Sequence, residues 1–136
     1  MKDKIFIDTN ILVYSVANDF QKKEIANNLL IENNIIVSTQ VINEFAAVTL
    51  RKKILQPEKV IEFSKGFMKV FEINVITQTT ISLAFEIMLK YHFSYWDSLI
   101  ISSALKSNIT LLYSEDLQDK QIIENRLTIC NPFKPE

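Results

Sequence analysis

Four short runs in the chain are apolar at successive positions: Ile5-Phe6-Ile7, Ile35-Ile36-Val37, Leu111-Leu112-Tyr113 and, less cleanly, Leu127-Thr128-Ile129-Cys130. Runs of this kind suit strands covered on both faces, because a strand with one wet face would place a polar residue at every second position. Between them, apolar residues recur at helical spacing over 22–31, 41–53, 58–71, 79–91, 95–106 and 118–125. Thr9-Asn10-Ile11-Leu12-Val13 reads as the start of a further helix after the first run, and Pro57 suits a first helical position. Residues 71–76 alternate apolar and polar side chains and fit either a short strand or an extended connection. Strands separated by helices pair in parallel. The pattern therefore predicts an α/β fold, a small doubly wound parallel sheet flanked by helices, with its ligand crevice beyond the carboxyl ends of the strands. With no repeat or linker to divide it, the chain is expected to form a single domain over 1–136, with 131–136 a loose tail.

Composition narrows the function classes. The 136 residues, 48% hydrophobic, suffice for one core. Fifteen Lys and Arg against sixteen Asp and Glu leave a formal charge of −1, so nucleic-acid binding would need a local patch or metal ions rather than global basicity. The single cysteine, Cys130, allows no internal disulfide. No uncharged apolar stretch reaches about 18 residues, and the first apolar run begins at Ile5, too early to follow a signal peptide. A cytoplasmic protein with no membrane partner is the expectation. The one glycine, Gly66, falls inside a predicted helix, which excludes glycine-rich phosphate loops and dinucleotide fingerprints.

The candidate chemistry lies in four acids, each at the end of an apolar run or just inside the helix that follows one. Asp8 follows the first run, where it serves equally as a helix cap or as a ligand; Thr9 or Asn10 could cap in its place and leave it free. Glu44 stands about one turn into the 41–53 helix, at the edge of the arc formed by Val41, Phe45 and Val48. A solvated helix glutamate is the alternative there. Asp97 shares a stripe with Ile100, Ile101 and Ala104, where an unpaired acid costs several kcal/mol. Its structural alternative is a capping box with Ser94. Asp116 follows Leu111-Leu112-Tyr113-Ser114-Glu115, in a loop where Ser114, Asp116 and Asp119 also suit turns. Ser114 could orient a carboxylate, Asp119 could join the site late, and Glu115 ranks below Asp116. In a parallel sheet all four acids meet at one edge, where their mutual repulsion calls for cations. An oxygen-only donor set without Cys or His suits Mg²⁺ or Mn²⁺ better than Zn²⁺. The only histidine, His92, lies near a predicted helix end and reads as a surface or capping residue.

Phe6-Ile7-Asp8-Thr9-Asn10-Ile11-Leu12-Val13-Tyr14 resembles the opening motif of PIN-domain nucleases. Ser38-Thr39-Gln40-Val41-Ile42-Asn43-Glu44-Phe45 resembles their second motif, Tyr95-Trp96-Asp97-Ser98-Leu99-Ile100 the third, and Leu112-Tyr113-Ser114-Glu115-Asp116-Leu117-Gln118 the fourth. The similarity runs in order along almost the whole chain, and its size and wording are closest to VapC-type toxins of toxin–antitoxin pairs. The resemblance implies a metal-dependent endoribonuclease, with Asp8, Glu44, Asp97 and Asp116 holding one or two Mg²⁺ or Mn²⁺ and cleavage leaving 5′-phosphate and 3′-hydroxyl ends. It also implies a small antitoxin partner and a homodimer. One departure is Lys120, which follows Asp119 where relatives often carry glycine, so that the fourth loop is expected to be shaped differently.

Around the acids, Arg51 shares a predicted helix face with Glu44 and is a candidate for phosphate contact, whereas Lys52 and Lys53 read as ordinary helix C-terminal cations. The apolar and aromatic 58–71 helix is core by default, and with the Glu44 helix it could also form a groove for an amphipathic antitoxin segment. Two rivals remain. A receiver-like Mg²⁺-binding module wants an adjacent acidic pair after the first strand and a lysine after the last, but Asp8-Thr9-Asn10 and Asn131-Pro132 stand there. A PIN-like scaffold that binds RNA or protein without turnover is the other.

Overall fold

A computed structural model describes residues 2–135. In chain order the elements are β1 (Lys4–Ile7), α1 (Thr9–Val16), α2 (Phe20–Glu32), β2 (Asn34–Ser38), α3 (Thr39–Arg51), α4 (Pro57–Val70), β3 (Glu72–Asn74), α5 (Gln78–Tyr91), α6 (Tyr95–Lys106), β4 (Leu111–Tyr113), β5 (Ile122–Ile123) and β6 (Leu127–Cys130). The strands form one sheet in the order β3-β2-β1-β4-β6-β5. Every pairing is parallel except β5 with β6, which is antiparallel. The α/β fold with helix-flanked parallel strands is the one the hydrophobic pattern predicts.

β1 and β4 are central, and their side chains Ile5, Phe6, Ile7 and Leu112 are buried because helices cover both faces of the sheet. Ile36, Val37, Phe45, Ile100 and Ile101 extend the same core. From β1 the chain steps outward through β2 to β3, then returns to pair β4 on the other side of β1. The sequence thus reverses direction between β1 and β4, and the crevice of such a sheet opens at the carboxyl ends of those two strands. Asp8 and Ser114-Glu115-Asp116 follow them directly.

The ambiguous 71–76 segment resolves as β3, paired with β2. Pro57 opens α4, and His92 ends α5 as its C-cap in the left-handed region (φ 63°). The helix expected over 118–125 does not form. Lys120 (φ 69°), Glu124 (φ 53°) and Asn125 (φ 53°) lie in the left-handed region, which interrupts a right-handed helix. There Ile122 and Ile123 instead pair with Thr128 and Leu127 across a tight turn. Lys120 takes the left-handed conformation that glycine favours despite carrying a side chain. The tail expected to be loose is tethered as far as Phe133. The Asn131 N–H donates to Asp119 at 2.8 Å, and the Phe133 ring packs edge-on against Tyr14, 5.0 Å between centroids. Among the described residues no helix is long and apolar enough to cross a membrane.

Candidate active site

Asp8 ends the climb of β1 and is itself the N-cap of α1, so neither Thr9 nor Asn10 takes that place. One carboxylate oxygen accepts from the Thr9 N–H at 2.7 Å and the other from the Ser114 hydroxyl at 2.8 Å. Capping by Asp8 releases Thr9 and Asn10 for other acids. The Thr9 hydroxyl donates to Glu44 at 2.9 Å, and the Asn10 amide donates to Asp116 at 3.1 Å. The Asn10 carbonyl oxygen also accepts from the Glu115 N–H, and Ser114 Oγ from that of Asp116. Three consecutive residues of the first motif therefore bond to both the second and fourth motifs.

Glu44 reaches the site from the first half of α3 and Asp97 from the first turn of α6, where the Asp97 N–H donates to the Ser94 cap at 3.1 Å. The cap and a cleft-facing carboxylate coexist, because the backbone of Asp97 makes the capping bond. Asp8, Glu44, Asp97 and Asp116 all line one cleft of about 420 Å³, together with Glu115. Although they share the cleft, no three acidic, histidine or cysteine side chains among the described residues form an assembled metal cage.

Electrostatics follow from this crowding. Burial pushes the Asp8 carboxyl up to about 6 against the bonds from Ser114 and Thr9, and the charges of Glu44 and Asp116 add to the rise. Glu44 is likewise raised, first by burial and further by Asp97, while the Thr9 bond opposes. Asp97 is raised by burial, and by the charge of Asp116. Glu115 behaves oppositely. Lys22 and the Tyr14 hydroxyl bond to it and hold it below the usual glutamate range, outweighing its partial burial. With its charge paired, Glu115 has less to offer a ligand than Asp116. Its role in this geometry is to anchor the fourth loop to α1 and α2.

Asp119 does not line the cleft; its carboxylate is engaged by the Asn131 backbone. Arg51 does not line it either, whereas Lys52 does. Gln40, Glu44 and Val48 on α3 and Lys52 at its C-cap, each four positions from the last, wall the cleft, and Arg51 falls one position off that series. The spacing from Glu44 to Lys52 was present in the sequence. Gln40 and Trp96 also wall the cleft and carried no sequence signal of their own, since an amide and an indole beside a motif read equally well as packing.

The donor set suits a hard divalent cation: Asp8 is buried, Glu44 and Asp97 are half-buried and Asp116 is exposed, and Asp8, Glu44 and Asp116 each have at least one oxygen oriented by a neighbouring N–H or O–H. Lys22 is paired with Glu115 rather than with any of these four.

Residues 5–122 match the family model described as PIN domain. No curated protein is similar enough in sequence to count as a relative. Among solved structures the chain is similar to a toxin–antitoxin complex from Klebsiella pneumoniae (16% identity, 96% of this chain and 99% of that one, TM-score 0.72). It is also similar to VapC20 of Mycobacterium tuberculosis, described as a sarcin-ricin loop cleaving toxin (16% identity, 79% and 86%, TM-score 0.68). A third is VapBC2 from Rickettsia felis bound to a DNA fragment from its promoter (21% identity, 93% and 96%, TM-score 0.68). At identities this low it is the structural likeness, TM-scores of 0.68 to 0.72, that shows a shared fold. With a family match over most of its length and four acids gathered at the switch point of that fold, this chain belongs to the PIN-domain family.

Proposed function

We propose that the chain is a divalent-metal-dependent endoribonuclease, the toxin of a toxin–antitoxin pair. The observation that carries this reading is the meeting of Asp8, Glu44, Asp97 and Asp116, distant in sequence, in one cleft at the carboxyl ends of β1 and β4. Family membership and the toxin–antitoxin character of the similar structures support it. Asp8, Asp97 and Asp116 would hold Mg²⁺ or Mn²⁺, with Glu44 completing the shell or orienting water. A cation bound there supplies a more acidic water and positive charge opposite the phosphate. The chain's own part is to fix the carboxylates: Ser114 and the Thr9 N–H orient Asp8, the Thr9 hydroxyl orients Glu44, and Asn10 orients Asp116. Lys52 at the cleft wall would meet the RNA backbone.

An antitoxin partner and a homodimer complete the proposal. Leu50 on α3 and Ile61 and Met68 on α4 are exposed apolar residues on adjacent helices, suited to an amphipathic partner segment. Incubating RNA with the purified protein, with Mn²⁺ or with EDTA, tests the enzymatic reading. Cleavage with 5′-phosphate ends that EDTA stops and Asp97→Ala abolishes, with thermal unfolding near normal, is the expected result. RNA bound but left intact would favour the non-catalytic scaffold, and cleavage by Asp97→Ala would overturn the site.

A further inference from the structure

A second hollow, of about 460 Å³, adjoins the acidic cleft and shares Gln40, Glu44 and Trp96 with it. Ala47, Ile76 and Leu99 give it apolar walls, and Glu44 is the only charged residue in its lining. With no lysine or arginine on the wall, the hollow disfavours phosphate and suits a neutral ligand. At its edge Trp96 is 61% exposed, an indole face that gains by being covered. Tyr95 supports that ring edge-on, 5.2 Å between centroids, with Phe85 behind Tyr95 at 5.6 Å.

Gln40 forms the partition between the two spaces. The residue is 8% exposed and its amide nitrogen donates to the Trp96 carbonyl at 3.2 Å, while its amide oxygen is buried with no partner among the described residues. A buried acceptor left unpaired calls for a donor from outside the fold. Nucleobases meet each of these requirements: a neutral ring, a face that stacks on an aromatic side chain, and N–H donors along the edge.

We propose that this hollow is a nucleobase subsite, in which the base flanking the scissile phosphate stacks on Trp96 and donates an edge N–H to the Gln40 amide oxygen. The subsite rests on the ribonuclease reading and says how that site engages single-stranded RNA. Trp96 is the only tryptophan, so its emission reports this position alone. The experiment follows that emission during the first turnover of hexaadenylate with Mn²⁺, beside an abasic hexamer of equal length, and measures KM for hexaadenylate with Trp96→Ala, Trp96→Phe and Gln40→Leu. The expected result is quenching by hexaadenylate and not by the abasic strand. Trp96→Ala should raise KM by about tenfold or more, Trp96→Phe should restore most of the loss, and Gln40→Leu should raise KM by a smaller factor. Equal quenching by the two strands, or a wild-type KM in Trp96→Ala, overturns the subsite while leaving the nuclease intact. So does hexaadenylate that is cut with Trp96 emission unmoved, the outcome if a protein segment occupies the hollow instead. Failure of the wild-type chain to cut any RNA with Mn²⁺ overturns both readings.

Discussion

Asp8 is a helix cap whose charge the fold holds at a cost. As a helix cap with two donors on its carboxylate it is well bonded, yet burial and the neighbouring acids raise its carboxyl to about 6 from 3.8. A carboxyl raised in the folded state binds more protons there than in the unfolded chain, so stability of the metal-stripped protein falls as pH climbs through that interval and stays reduced above it. A shift of this size corresponds to about 3 kcal/mol. Asp8→Asn keeps the capping oxygen and removes the charge. In EDTA at about pH 7.5 it should therefore melt at a higher temperature than the wild type, with the difference shrinking toward about pH 4. A lower Tm at the higher pH would show that Asp8 is not strained.

At the scale of elements, periodicity served well where helices were long and strands fully covered. The α3, α4, α5 and α6 helices fall within a few residues of their expected spans, and Ile5-Phe6-Ile7 and Leu111-Leu112-Tyr113 form the central strands β1 and β4. The 118–125 stretch failed for a physical reason. Ile122 is 58% exposed and Ile123 fully buried, a period of two that eight residues cannot distinguish from a helical arc. Nor does any glycine mark the left-handed turns at Lys120, Glu124 and Asn125. Ile123→Ala should cost about 2–5 kcal/mol in denaturant unfolding, whereas Ile122→Ala should stay within about 0.5 kcal/mol. Similar losses at both would argue against the β5–β6 hairpin. The acids were legible because each ends or follows a recognisable element. Lys52 and Gln40 were less so, because cleft-lining by a polar helix residue depends on what the neighbouring helices leave uncovered.

For the whole molecule, the topology explains why residues more than one hundred positions apart cooperate. Parallel pairing of β1 with β4 brings the segment after Ile7 beside the segment after Tyr113, so Asp8 can bond Ser114 and Asn10 can bond Asp116. Helices α3 and α6 then carry Glu44 and Asp97 over the same edge. The result is a frame in which Asp8, Glu44 and Asp116 are oriented by neighbours and the acids gather without matching positive charge, the arrangement that the proposed hard cation would complete. Calorimetric titration of Mn²⁺ into the EDTA-stripped, dialysed protein tests this most directly. The account predicts saturable binding to the wild type that weakens by at least about tenfold in Asp97→Asn; a wild-type chain that binds no Mn²⁺, or an Asp97→Asn chain that binds it equally well, would contradict it.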